Sequence, residues 1–158
     1  MFVEVFGSIL LMVSAAYYSF NGMKRELKTL KILEELCGLF TCLHKNIDCY
    51  TIPLVEICRI YTSEELEKLG FYHHWQQGAF LDAVDTLEDI PEKVLVSCRQ
   101  YVMQAGKGYK ETELQLCRGI LRDLEEALTV QTREMQAKNK LYRTLPYLLV
   151  LSVILLFI

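Results

Sequence analysis

The chain has 158 residues, and between its two apolar ends lie 19 acids and 17 bases, a net charge of −2 that is no footprint for nucleic acid. Its six cysteines, Cys37, Cys42, Cys49, Cys58, Cys98 and Cys117, include no C-x-x-C pair, and Cys37 with Cys42 has no second close pair to complete a zinc site. The stretch between the ends is long enough for one small domain.

The opening twenty residues, "MFVEVFGSILLMVSAAYYSF", carry one charge, Glu4. As a helix they reach about 30 Å, the thickness of a bilayer's hydrocarbon core. A signal peptide normally opens with Lys or Arg; this stretch opens with an acid and has no clean small-x-small cleavage site. An uncleaved membrane segment over 1–21 is therefore expected ahead of a signal peptide or a buried core helix.

The middle, 22–144, reads as helix. It has few β-branched runs and no Asn-Gly or Asp-Gly hairpin signal. Residues 24–47 carry two adjacent apolar rows, Leu27, Leu30, Leu33, Cys37, Phe40 and Ile47 beside Ile32, Leu36, Leu39 and Leu43. Two rows make the broad face of a packed bundle helix. "NIDCYTIPLVEI" breaks it, with Thr51 as a cap and Pro53 in the first turn of a short helix. A third helix starts at Thr62 or Ser63. "YHHWQQGAF" reads as a turn or irregular stretch around Gly78, and "AFLDAVDTL" as a short fourth helix. Asp89 with Glu92 three later forms a capping-box pattern, with Pro91 inside the first turn of a fifth helix. That helix ends at Gly106 and Gly108. A last long helix over 109–144 has an apolar seam through Leu114, Cys117, Leu121, Leu124 and Leu128, interrupted by Gln131 and Lys138. The interruption divides it into a packed half and a stalk.

The end of the chain, "LPYLLVLSVILLFI" over 145–158, has no charge. It is short for a span, since about 20 residues are usual. A hairpin partner or an apolar plug for another protein are the alternatives to a membrane segment. Pro146 predicts a kink at its start. Lys24, Arg25, Lys28 and Lys31 follow the first apolar segment, and Lys138, Lys140 and Arg143 precede the second. Both clusters flank the middle, so the positive-inside rule places 22–144 in the cytoplasm.

Little here reads as chemistry. His73 and His74 are adjacent and splay apart on a helix, and His44 lies on an apolar seam as a hydrogen-bonded core histidine. Gly106-Lys107-Gly108 lacks the frame of a phosphate loop. Glu64 with Glu65 and Asp82 with Asp85 read as solvated faces, or as docking patches for a basic partner. In a reducing compartment the cysteines serve as small hydrophobes. No nucleophile–base pair is legible, and neither an enzyme nor a cofactor is expected.

Three features together resemble one family. They are the basic Leu-rich helix "MKRELKTLKILEEL", the turn "TIPLVEI", and the charged helix "LRDLEEALTVQTREMQAKNKLYRTLPYLL" running into an apolar tail. With "AGKGYKE" as a late turn, the layout resembles the stage III sporulation protein AB family over nearly the whole chain. The resemblance implies an all-α antiparallel bundle of about six helices with N- and C-terminal transmembrane helices. The bundle would be similar to the cytoplasmic domain of the platform protein of type II secretion and type IV pili. It further implies a mother-cell membrane component of a sporulation channel facing the forespore. Such a protein docks a secretion-type hexameric ATPase and sits beside other channel membrane proteins, with a homo-oligomer left open. Partner contacts are then expected at Glu64, Glu65, Asp82, Asp85, Lys107, Glu111 and Glu113. A tether or clustering protein without an ATPase needs the same helices, and a thiol or metal sensor needs an exposed cysteine of low pKa.

Overall fold

The computed structural model describes the backbone of residues 2–49, 53–105, 107 and 109–157, and the side chains of Tyr17, 21–49, 53–105, 107 and 109–140. Among the described residues every regular element is helical. In order they are α1 (Phe2–Cys49), a 3-10 turn (Leu54–Glu56), α2 (Ile57–Ile60), α3 (Glu64–Lys68), α4 (Phe71–Gln76), α5 (Phe80–Asp85), α6 (Glu92–Gln104) and α7 (Lys110–Phe157). Among the described residues no helix is long and apolar enough to cross a membrane. The segments expected to do so, 1–21 and 145–158, lie outside the residues whose side chains are described, Tyr17 and Asn21 aside.

The two long helices set the frame. Each has 48 residues, a length of about 72 Å. They run antiparallel, and three pairs fix the register. Lys110 Nζ lies 3.3 Å from Asp48 Oδ1 and donates to the Asp48 carbonyl at 2.6 Å. Arg118 Nε donates to His44 Nε2 at 3.3 Å. Lys138 pairs with Glu26. The third long element, α6, runs antiparallel to α7. Lys93 binds Glu126 at 2.7 Å and Asp123 at 3.2 Å, and Ser97 donates to Asp123 at 2.7 Å. The Ser97 hydroxyl, followed by Lys93, holds the Asp123 carboxyl below the usual carboxylate range.

The core fills the space between these helices and the layer of short ones. From α1 it takes Ile32, Leu33, Leu36, Leu39, Phe40 and Leu43; from α7, Cys117, Ile120 and Leu124. The two apolar rows expected on α1 thus meet inside, except that Leu27 is exposed and Leu30, Cys37 and Ile47 are half-buried. Phe40 meets Tyr101 edge to face at 5.4 Å. Trp75 is fully buried, stacked on Phe71 at 5.1 Å and edge-on to Phe80 at 4.8 Å. Its indole donates to the Leu54 carbonyl at 2.9 Å, which ties α4 to the 3-10 turn.

Local chemistry explains the breaks. Ser63 caps α3, its hydroxyl accepting from the Leu66 amide, and Glu64, Glu65 and Glu67 favour the positive end of the helix. Gly70 and Gly78 adopt φ of 77° and 78°, left-handed values that end α3 and α4 where a side chain would be strained.

Three expectations are corrected. "YHHWQ" is helix, because Gly70 and Gly78 bracket one complete apolar turn that buries Phe71, Tyr72 and Trp75. Pro53 precedes the 3-10 turn rather than lying inside a helix; its carbonyl accepts from Glu56 N at 2.9 Å. The Thr51 cap lies outside the described residues, as do Gly106 and Gly108. The Asp89–Glu92 capping box does not form: α6 starts at Glu92 with Pro91 as its cap residue. Asp89 instead takes φ 69°, its carboxylate accepting from Arg25 Nε at 2.9 Å and its carbonyl from the Thr29 hydroxyl at 3.0 Å. Those two bonds to α1 outweigh a local cap and hold Asp in a backbone region that it tolerates better than most residues. Beyond these points, α7 runs as one helix through Pro146.

One contact is unusually tight. A Cβ built on Gly38 would lie 2.2 Å from Tyr61 Oη. The Tyr61 hydroxyl donates to Glu35 at 2.7 Å, which fastens the chain after α2 onto α1. By contrast, among the described residues the buried hydroxyl of Tyr101 has only the Cys117 thiol beside it, a weak acceptor. These sites give opposite expectations in thermal or denaturant unfolding of the full chain. Gly38→Ala should cost about 1–3 kcal/mol by overpacking. Tyr61→Phe should cost about 1 kcal/mol. Tyr101→Phe should be near neutral or stabilising, since only a weak contact with the Cys117 thiol is lost. A loss at Tyr101 as large as that at Tyr61 overturns the contrast.

Candidate functional site

The residues expected to meet a partner fall in separate places. Glu64 binds Lys68 at 2.9 Å within α3, and that lysine, through its hydrogen bond and charge, lowers the Glu64 pKa. Glu65 is within 3.6 Å of Lys68 and 4.0 Å of Lys31 on α1. Asp85 holds Arg99 of α6 through Nε at 3.0 Å and Nη2 at 2.8 Å. Asp82 is exposed on α5. Lys107 and Glu111 are exposed at the turn between α6 and α7, and Glu113 is half-buried one turn on. That turn sits at the Asp48 end of α1, whereas Glu65 sits at Lys31, about 26 Å back along the helix. The structure therefore does not bring these seven side chains together as one patch. Three of the acids serve first as intramolecular ties, Glu64 within α3, Glu65 to α1 and Asp85 to α6.

The basic residues that flank the apolar ends do converge. The Glu26–Lys138 pair brings α1 and α7 side by side, so Lys24, Arg25, Lys28, Lys138 and Lys140 lie exposed at similar height at one end of the bundle, a basic collar. Arg25 is tied to Asp89 there. The Arg143 side chain lies outside the described residues. Sequence spacing alone could not show which acids share this collar, because Glu26 and Asp89 reach it from distant parts of the chain.

His44 is half-buried at the α1–α7 seam and accepts from Arg118, so it is hydrogen-bonded, though at the edge of the core. His73 and His74 occupy successive positions of α4, their rings 5.6 Å apart at 78° to each other, and His73 Nε2 lies 3.0 Å from Gln77 Nε2. Among the described residues no three His, Cys, Asp or Glu side chains are grouped to hold a metal ion. All six cysteines are free. Burial pushes the Cys58 and Cys98 thiols up to about 12 and the Cys117 thiol up to about 11. Burial, with the Glu125 charge second, also raises Cys37. Cys49 alone is exposed, at the end of α1.

The chain matches no protein-family model, no curated protein and no solved structure.

The thiols give a pH prediction. Cys58, Cys98 and Cys117 keep their protons in the folded chain above the ordinary thiol value of 9.0, so the unfolded chain binds fewer protons there. Stability should therefore be undiminished by these groups below pH 9 and fall as pH rises from 9 towards 11. Iodoacetamide at pH 8, read by mass spectrometry, should modify Cys49 in the native chain and these three only in denaturant. Fast native alkylation of Cys98 overturns this.

Proposed function

We propose that this chain is a non-enzymatic membrane platform component, of the kind the sporulation-channel resemblance implies, whose helical bundle docks a secretion-type ATPase and couples it to a membrane complex. One observation carries the reading. The two 48-residue helices are locked antiparallel, and the Glu26–Lys138 pair sends both out of the same end of the bundle. There the sequence becomes basic and then apolar on both helices of the pair. Two anchors leaving one end, each preceded by lysine and arginine, suit a domain held at a membrane's cytoplasmic face. That face would be the mother-cell membrane opposite the forespore.

The paired helices that run from the core through the collar suit transmission. A continuous helix carries displacement along its axis because its hydrogen bonds are local, whereas a jointed connection absorbs it. The residues 131–143 of α7 and their α1 neighbours form this stalk, and no nucleotide site is needed on the chain. The second reading, a structural tether with no ATPase, is favoured by the ion pairs that already occupy Glu64, Glu65 and Asp85.

The test is binding of the full chain, held in detergent or nanodiscs, to the candidate hexameric ATPase with and without nucleotide. Saturable, nucleotide-sensitive binding is expected. No binding by a folded, helical chain retires ATPase docking in favour of the tether. Separately, paired glycines in 131–143 should abolish coupling at a helix cost of about 1 kcal/mol per residue, leaving the core helicity measured by circular dichroism in place. Normal channel function in that variant counts against the stalk.

A further inference from the structure

An open groove of about 560 Å³ runs along the outer face of α1, between Tyr61 on one side and Leu128 of α7 on the other. Short side chains, Cys37, Thr41 and Cys42, form its floor. Its ends are oppositely charged. Glu34 lines the end nearer the collar, and the Glu125 charge reaches Cys37 there. Lys45 lines the far end, next to the His44–Arg118 pair. From Glu34 to Lys45 is about 16 Å, three turns of helix.

A groove between two helices, acidic at one end and basic at the other, is complementary to a third helix in one direction only. The positive N-terminal end of such a helix is attracted to Glu34 and its negative C-terminal end to Lys45. It then runs parallel to α1, away from the collar. A second copy of this chain fits poorly. Paired with its α1 parallel, as two copies anchored in one membrane must be, it sets Glu34 against Glu34 and Lys45 against Lys45. The antiparallel pairing that would match the charges sends the two collars in opposite directions.

We propose that the groove receives an amphipathic helix of a different membrane protein, the outward continuation of one of its spans. Its first turn is basic against Glu34 and its last turn is acidic against Lys45. The proposal rests on the membrane reading for the identity of the partner, and on the groove alone for direction and charge.

The test uses two synthetic helical peptides about four turns long, which share one small-residue apolar stripe. One carries lysines in the first turn and glutamates in the last; the other has the charges exchanged. Binding to the full chain in detergent micelles is read by fluorescence anisotropy. The first probe should bind about tenfold more tightly, although the second is the better isolated helix. The surface double variant Glu34→Lys with Lys45→Glu should invert the preference, and Thr41→Trp should block both probes. Equal affinities, no saturable binding, or a preference that the double variant leaves unchanged overturns the proposal. Carbonate extraction of the chain from membranes reports separately on the membrane reading, because the peptide assay needs no bilayer.

Discussion

The antiparallel register of α1 and α7 is the constraint on which everything else depends. Asp48 with Lys110, His44 with Arg118 and Glu26 with Lys138 mark it at three heights. Each is a surface pair worth little alone, about 0–1 kcal/mol. The energy of the pairing lies between them, in the buried Leu36, Leu39, Phe40, Cys117, Ile120 and Leu124, and the polar pairs select which of the neighbouring registers is occupied. A shift of α7 by one turn would move Cys117 off Tyr101 and part Lys138 from Glu26. The collar and the core are therefore two consequences of a single register.

The short helices answer a geometric need. Three long helices alone would leave the face of α1 that carries Ile32 and Leu36 open to water. The segment from Pro53 to Leu87 covers it with Ile57, Leu66, Phe71, Trp75, Ala83 and Val84. Such a cover cannot be one straight helix, because it must bend around α1. Two of its bends fall at Gly70 and Gly78; Tyr61 to Glu35 fastens it to α1, and the Trp75 indole on the Leu54 carbonyl ties it together internally. Burial and the Glu35 hydrogen bond both raise the Tyr61 pKa, so the Tyr61 hydroxyl keeps its proton as a donor.

Much of this was legible because helical periodicity is local. The two rows of α1, the Ser63 cap, and the helices at 80–85 and 92–104 all follow from spacings of three and four or from one cap residue. What was misread depended on residues far apart in sequence. Asp89 followed by Glu92 looked like a cap, yet Arg25 and Thr29 claim Asp89. "YHHWQ" looked irregular since its histidines obscure a turn that Trp75 holds down. The acidic pairs looked available because their lysine and arginine partners come from elsewhere: Lys31 reaches Glu65 from α1, and Arg99 reaches Asp85 from α6. Groove and collar needed the fold, for each is assembled from α1 and α7 together.

The distribution of charge gives the frame a direction. Residues 21–31 and 131–144 hold eight bases and two acids, whereas residues 32–130 hold nine bases and seventeen acids. A chain with a net charge of only −3 is thus strongly polar along its long axis. Near an anionic membrane surface the collar is attracted at about 1 kcal/mol per basic residue, and the acidic bundle is repelled over about one Debye length, about 8 Å. Both forces turn the molecule the same way, with collar down and core away from the lipid. On the proposed membrane reading, the stalk would have a mechanical reason for its length. It would hold the acidic core beyond the reach of that repulsion, and of the two charged ends of the groove Glu34 would lie nearer the lipid than Lys45.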